Sequence, residues 1–170
     1  MQFLQLLPLI VFAGLVVVAG LKDITSYTIP NWISLALIAA FPIGALAGGI
    51  GWASAGVCLA LGVGVLLVGL AMFAFGWFGG GDAKLLAVCA LWLGWPAGLS
   101  FLLTTALAGG ALTLGLMSLR SGWLEPIIAG GPAWVRRLGD KKGDIPYGVA
   151  IAFGALAALP QSAIGQAILN

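Results

Sequence analysis

Long apolar runs separated by short polar breaks dominate the chain. The first uncharged run, Phe3 to Leu21, has 19 residues, close to the roughly 20 that a membrane-spanning helix needs. Met1 and Gln2 supply no basic side chain and no A-x-A site follows, so the run reads as a retained helix rather than a signal peptide. The polar stretch KDITSYTIPN, Lys22 to Asn31, interrupts it. Pro30 cannot extend a helix running into it but can open the next one. A second helix is expected over 32–47, ending in the turn Gly48-Gly49-Ile50-Gly51. Trp52 to Phe78 is uncharged for 27 residues and closes on Gly79-Gly80-Gly81, with Asp82 and Lys84 directly after. That length exceeds what a span requires, so this helix tilts or ends early.

Leu85 to Leu119 is uncharged for 35 residues, too long for one crossing. Gly94-Trp95-Pro96-Ala97-Gly98 has the composition of a tight turn and divides it. The pattern therefore predicts six transmembrane helices, over 3–21, 32–47, 52–76, 82–94, 97–119 and 146–165. The expected fold class is an all-α integral membrane protein, with residues 1–170 forming a single domain.

Composition agrees with lipid as the main solvent. The chain is 62% hydrophobic and 7% charged, with a mean hydropathy of +1.16. Charge placement sharpens the topology. The charged side chains fall at Lys22-Asp23, at Asp82-Lys84, and between Arg120 and Asp144. In a six-helix chain these are the first, third and fifth loops, which share one face. The positive-inside rule assigns that face to the cytoplasm and both termini to the far side. A single crossing by Leu85 to Leu119 would instead put five of the seven Lys/Arg residues outside.

Candidate chemistry narrows quickly. The chain has no histidine, which removes Ser-His-Asp triads and HExxH zinc sites. Cys58 and Cys89 stand alone in apolar runs and read as small core residues rather than a redox or zinc motif. No metal, cofactor or nucleic-acid partner is expected. Asp23 at the end of the first helix and Asp82 at the start of the fourth share one face and can meet if helices one and four pack together. The fourth helix is short, about 18 Å at about 1.5 Å per residue, which sets Asp82 below the interface, where ionisable groups are costly and usually functional. Two such carboxylates tend to share one proton, leaving one as general base and one as general acid. Gly79 to Gly81 let a backbone approach closely.

Simpler roles compete. Asp82 can cap the fourth helix, Asp23 can pair with Lys22 in solvent, and Lys84 can snorkel to the interface. Arg136, Arg137, Lys141 and Lys142 fit a lipid-facing basic loop. Trp32, Trp52, Trp77, Trp92, Trp95, Trp123 and Trp134 fit interfacial anchors. Gly44 and Gly48 fit a small-xxx-small packing face.

The motif Gly79-Gly80-Gly81-Asp82-Ala83-Lys84-Leu85 resembles the GxGDxKL signature of type IV prepilin peptidases. Asp23 precedes Ile29-Pro30-Asn31 with the spacing of that family's D-x5-IPN motif, and Ile145-Pro146-Tyr147-Gly148-Val149-Ala150 is similar to its closing motif. The resemblance implies a membrane aspartic endopeptidase of the bacterial inner membrane, with Asp23 and Asp82 as the catalytic pair. Gly79, Gly81, Lys84, Ile29, Pro30, Asn31, Pro146, Tyr147 and Gly148 are implied as supporting or substrate-groove residues. It further implies that leaders of prepilins or pseudopilins are cut at the cytoplasmic face, with a pilus or secretion assembly as partner. Longer members carry a cytoplasmic domain with paired CxxC motifs and methylate the new amino terminus. This sequence has no counterpart and is similar to the short members serving tight-adherence (Flp-type) pili. Three other functions compete: a small ion-coupled transporter using Asp23, Asp82 and Lys84, a non-catalytic assembly subunit, and an intramembrane protease of the presenilin kind.

Overall fold

The computed structural model describes residues 2–121, 130–140 and 143–169. The expected anchor Trp123 and the basic residues Lys141 and Lys142 lie outside them. All regular structure among the described residues is helical, with no strand. The elements are α1 (Gln2–Ser26), α2 (Asn31–Ala47), α3 (Trp52–Ala74), α4 (Gly80–Leu93), α5 (Ala97–Leu119), a short α6 (Ala133–Leu138), α7 (Tyr147–Ala158), a 3-10 turn (Leu159–Gln161) and α8 (Ala163–Leu169).

Length sorts these helices. Leu6–Ser26 within α1, α3 and α5 are each long and apolar enough to cross a membrane. The α7–α8 pair reaches that length only together, and it is bent by 56°. Among the described residues the structure therefore holds three helices of spanning length, or four with the bent pair counted as one. The expected single sixth helix over 146–165 is broken at Leu159–Gln161. Pro160 has no N–H for a helical hydrogen bond, and Ser162 is extended (φ −69°, ψ 154°) with its hydroxyl turned back to the Leu159 carbonyl at 2.7 Å.

Two short helices form the centre. In α4 every residue from Ala87 to Leu93 is buried, and α7 buries Gly148, Ala150, Ile151, Ala152, Gly154, Ala155 and Ala158. The longer α1, α3 and α5 surround them and leave many apolar side chains exposed, among them Leu59, Val63, Leu67, Leu103 and Leu107. This inside-out division suits a lipid solvent. Lipid tails give apolar side chains little reason to leave them, so helices associate by close packing through small residues. On α3, a Cβ added at Gly62 would come within 2.9 Å of the Leu91 Cβ, and one at Gly69 within 3.0 Å of the Ala83 Cβ. Those glycines let α3 and α4 lie almost backbone to backbone.

Trp92 sits deepest. It is fully buried, donates its indole N–H to the Leu37 carbonyl at 2.9 Å, and stacks near Phe12 and Phe41 at centroid distances of 5.0 and 6.0 Å. It is thus a core residue and not the interfacial anchor its type suggested. Trp32, Trp52, Trp77, Trp95 and Trp134 are exposed. Gly44 gives Trp92 its room, since a Cβ there would meet the indole ring at 2.8 Å, and Gly48 lies against Ile164. The expected small-residue face is therefore used, but against α4 and α8. Cys58 and Cys89 are both buried and unpaired.

Candidate active site

Three loops build one end of the bundle. The first begins where α1 stops. The helix runs past the apolar stretch through Lys22 and Asp23, and ends when Tyr27 turns to a positive φ of 52°. This left-handed position is usually given to glycine or asparagine at a helix C-terminus. The chain then extends through Thr28 to Pro30 and starts α2 at Asn31. The second loop ends at Gly79, the residue before α4, which puts Asp82 in the first turn of that helix. A carboxylate there is favoured by the helix dipole. The third loop, Gly143 to Pro146, leads into α7.

Ile29 connects all three. A Cβ added at Gly81 would approach the Ile29 Cβ to 3.3 Å, and one at Gly148 would approach the Ile29 Cδ1 to 2.9 Å. Gly148 also serves Asp23 directly. Its backbone N–H donates to Asp23 Oδ2 at 2.7 Å, across 125 residues of sequence. Hydrogen bonds to a carboxylate are short and strong, so this one fixes the rotamer of a buried side chain. Lys84 Nζ donates to Asn31 Oδ1 at 2.9 Å, joining the GGGDAKL and IPN segments. Lys84 has a directed partner in addition to any snorkelling role.

Asp82 is held more loosely. No side-chain hydrogen bond caps α4, and the buried Asp82 Oδ1 has no partner among the described residues. That argues against a capping role. Its Oδ2 lies so close to Gly79 that a Cβ there would come within 2.6 Å.

Both aspartates line the same open space. A cavity of about 810 Å³ is bordered by Asp23, Tyr27, Gly79, Asp82, Thr105, Arg120 and Tyr147, with Met72, Phe78, Leu86 and Leu102 as apolar wall. A smaller one of about 220 Å³ is shared by Asp23, Tyr27, Thr28, Ile29, Asn31, Gly79, Gly80, Gly81 and Asp82. The pair thus stands where the two cavities meet. Helices α1 and α4 meet through Phe12 and Trp92, while α1 packs mainly on α7 and α2, and α4 on α3. The Gly148 N–H of the central α7 ties Asp23 to that helix.

Of the expected site residues, Ile29, Asn31, Gly79, Gly81 and Tyr147 line these cavities. Pro30 immediately precedes α2, Pro146 is buried before α7, and Gly148 lies behind Asp23. Lys84 is exposed at the rim beside Asn31. The sequence did not point to Tyr27, Thr105 or Arg120. Arg120, at the end of α5, donates from Nε to the Leu138 carbonyl at 2.9 Å, and from its two terminal nitrogens to Gly143 at 2.8 Å and Asp144 at 2.9 Å. It straps the third loop into place. Burial raises the Tyr27 phenol above its ordinary pKa, the nearby Arg120 guanidinium partly offsets this, and the group stays a neutral hydroxyl. Among the described residues no cluster of His, Cys, Asp or Glu could hold a metal ion.

The model of the type IV leader peptidase family matches residues 10–114, well over half of the chain. The chain belongs to that family. The matched segment contains Asp23, the IPN motif and Asp82, and it ends before the loop that brings Gly148. No curated protein and no solved structure gives a significant match. As a type IV leader peptidase the chain is a hydrolase of peptide bonds, and its apolar helices fit a multi-pass membrane protein. Membership lends no support to an ion-coupled carrier.

Proposed function

We propose that the chain is an aspartic endopeptidase that removes the leader of type IV prepilins or pseudopilins, in the manner of the short Flp-type enzymes, at the cytoplasmic face of the bacterial inner membrane. One observation carries the reading: segments about 60 residues apart in sequence converge so that Asp23 and Asp82 border the same cavity. A leader peptidase must hold water and a scissile carbonyl between an acid and a base, and these two carboxylates are the acidic groups at the junction of the two cavities.

The roles divide by environment. Asp23, fixed by the Gly148 N–H, is suited to the ionised form, because that hydrogen bond is made to the carboxylate. Asp82, whose Oδ1 is unpartnered, is suited to carry the shared proton and donate it to the carbonyl oxygen. Asp23 takes a proton from the water as it attacks. The tetrahedral intermediate collapses as the leaving amine receives a proton, and the pair returns to one shared proton. The glycines at 79–81 leave room for an unwound strand.

Six crossings with the charged loops in the cytoplasm remain the topology that best suits a cytoplasmic active site. In it the short α2, α4 and α7 cross within the shelter of the longer helices. The test is a co-expressed candidate prepilin followed by its shift in size. Asp23→Asn and Asp82→Asn should each abolish the shift while the protein still inserts. Full processing by either variant overturns the catalytic pair.

A further inference from the structure

Three buried side-chain polar atoms lack a hydrogen-bond partner among the described residues: Asp82 Oδ1, the Tyr27 hydroxyl and Thr105 Oγ1. All three residues border the 810 Å³ cavity. Buried polar groups are nearly always paired, so three orphans around one space mark a place built for a polar occupant. Asp82 belongs to the chemistry described above. The other two hydroxyls have no assigned task.

Each is unusual on separate grounds. A threonine inside an apolar helix ordinarily turns its hydroxyl back to the carbonyl one turn earlier. Thr113 on the same helix does so, bonding the Gly109 carbonyl at 2.7 Å, and Thr25 on α1 bonds Leu21 at 2.7 Å. Thr105 is only 4% exposed and makes no such bond. Its Oγ1 instead points toward α7, where glycine at 154 leaves it space. Tyr27 is the only described non-glycine residue with a positive φ. Such a conformation costs about 1–3 kcal/mol and survives where the surroundings impose it, often at ligand clamps. It sets a buried phenol oxygen beside the Arg120 guanidinium. Three of the five Arg120 N–H donors are already engaged by carbonyls.

We propose that Tyr27 and Thr105 are substrate-positioning residues whose hydroxyls hold the backbone of the unwound peptide as it lies across the cavity beside Asp82. The inference rests on the peptidase reading and adds to it the groups that grip the substrate. A helix bonds its own N–H and C=O groups. Once unwound for cleavage, each residue exposes a donor and an acceptor that must be satisfied away from bulk water. A hydroxyl can donate to a carbonyl or accept from an N–H, so two of them can serve a strand without regard to its side chains. Tyr27 comes from the α1–α2 connection and Thr105 from α5, so they border the space from different elements and can hold a strand at two points once the Thr105 hydroxyl turns from Gly154 toward it.

The test uses the full chain in detergent with a leader-bearing substrate of the all-amide form and a set of analogues. In each analogue one amide flanking the scissile bond is replaced by an ester, which removes an N–H and weakens a carbonyl acceptor. Tyr27→Phe and Thr105→Val should each lower kcat/KM by about 3- to 10-fold, mostly through KM, the range expected for one hydrogen bond. Thr105→Ser, which keeps the hydroxyl, should restore most of the loss. At least one ester should slow the wild type yet cost little more in Tyr27→Phe or Thr105→Val, because the bond it deletes is already gone. If both variants match the wild type, or if every ester costs the variants as much as the wild type, the proposed grip is wrong and the peptidase reading stands. If the wild type shows no cleavage that depends on Asp23 and Asp82, the peptidase reading fails and takes the grip with it.

Discussion

At the scale of single residues, Gly148 bears on the proposed catalytic geometry without contributing a side chain. Its N–H fixes Asp23, and its missing Cβ leaves room for that aspartate and Ile29 together. Gly148→Ala would bring a methyl within 2.9 Å of Asp23 Cβ, Asp23 Oδ2 and Ile29 Cδ1. Because the neighbours include the carboxylate itself, relief must come from moving it. Initial cleavage rates should fall by at least about tenfold, the usual cost of displacing a reacting group by an ångström or less, while membrane insertion is retained. An alanine variant with wild-type rates would show that Asp23 does not need this placement. Asp23 and Asp82 were legible in the sequence because a carboxylate in a chain with so few charges stands out. Tyr27, Thr105 and Arg120 were not, because what distinguishes them is conformational: a positive φ, an omitted back-bond, and a guanidinium spent on carbonyls. None of these has a sequence signature.

At the scale of elements, the apolar runs and breaker residues located most helices to within a few positions. The short fourth helix, ending at Gly94, was anticipated from the GWPAG turn and observed as Gly80–Leu93. Two features escaped. Helix α1 continues through Lys22 and Asp23 to Ser26, because charge ends an apolar run without ending a helix. The final helix breaks after Ala158 because Pro160 interrupts a pattern that stays apolar on both sides. The long basic loop looked like a lipid-facing surface, yet its first residue has a structural task. Arg120→Ala would release the Leu138, Gly143 and Asp144 carbonyls and with them the approach to α7. Cleavage should drop by about tenfold, within the range for losing two or three modest hydrogen bonds. Arg120→Lys should recover little, since an ammonium cannot span three carbonyls in one plane. Recovery by lysine would mean that charge, not the strap, matters.

At the scale of the whole molecule, the helices divide into a buried centre and a lipid-facing surround, and the catalytic candidates sit at one end of that centre. Charge distribution suggested this asymmetry before any coordinates: acids and bases concentrate in three segments, and residues from all three line one cavity. What could not be read was which helices touch. Apolar faces that all favour lipid carry little pairing information, and the close contacts depend on individual glycines such as Gly62 and Gly69. The proposed orientation predicts that Ser121→Cys, at an exposed position in the loop after α5, resists impermeant thiol reagents in intact cells and labels once the membrane is opened. Both native cysteines are buried, so the new thiol reports alone. Labelling in intact cells would reverse the orientation.

The central claim is that Asp23 and Asp82 cleave together. Its most direct test follows the size of a co-expressed prepilin beside wild type, Asp23→Asn and Asp82→Asn, with membrane insertion of each confirmed. The account predicts a processed pilin with the wild type and only precursor with either variant. Processed pilin with either asparagine variant would contradict it.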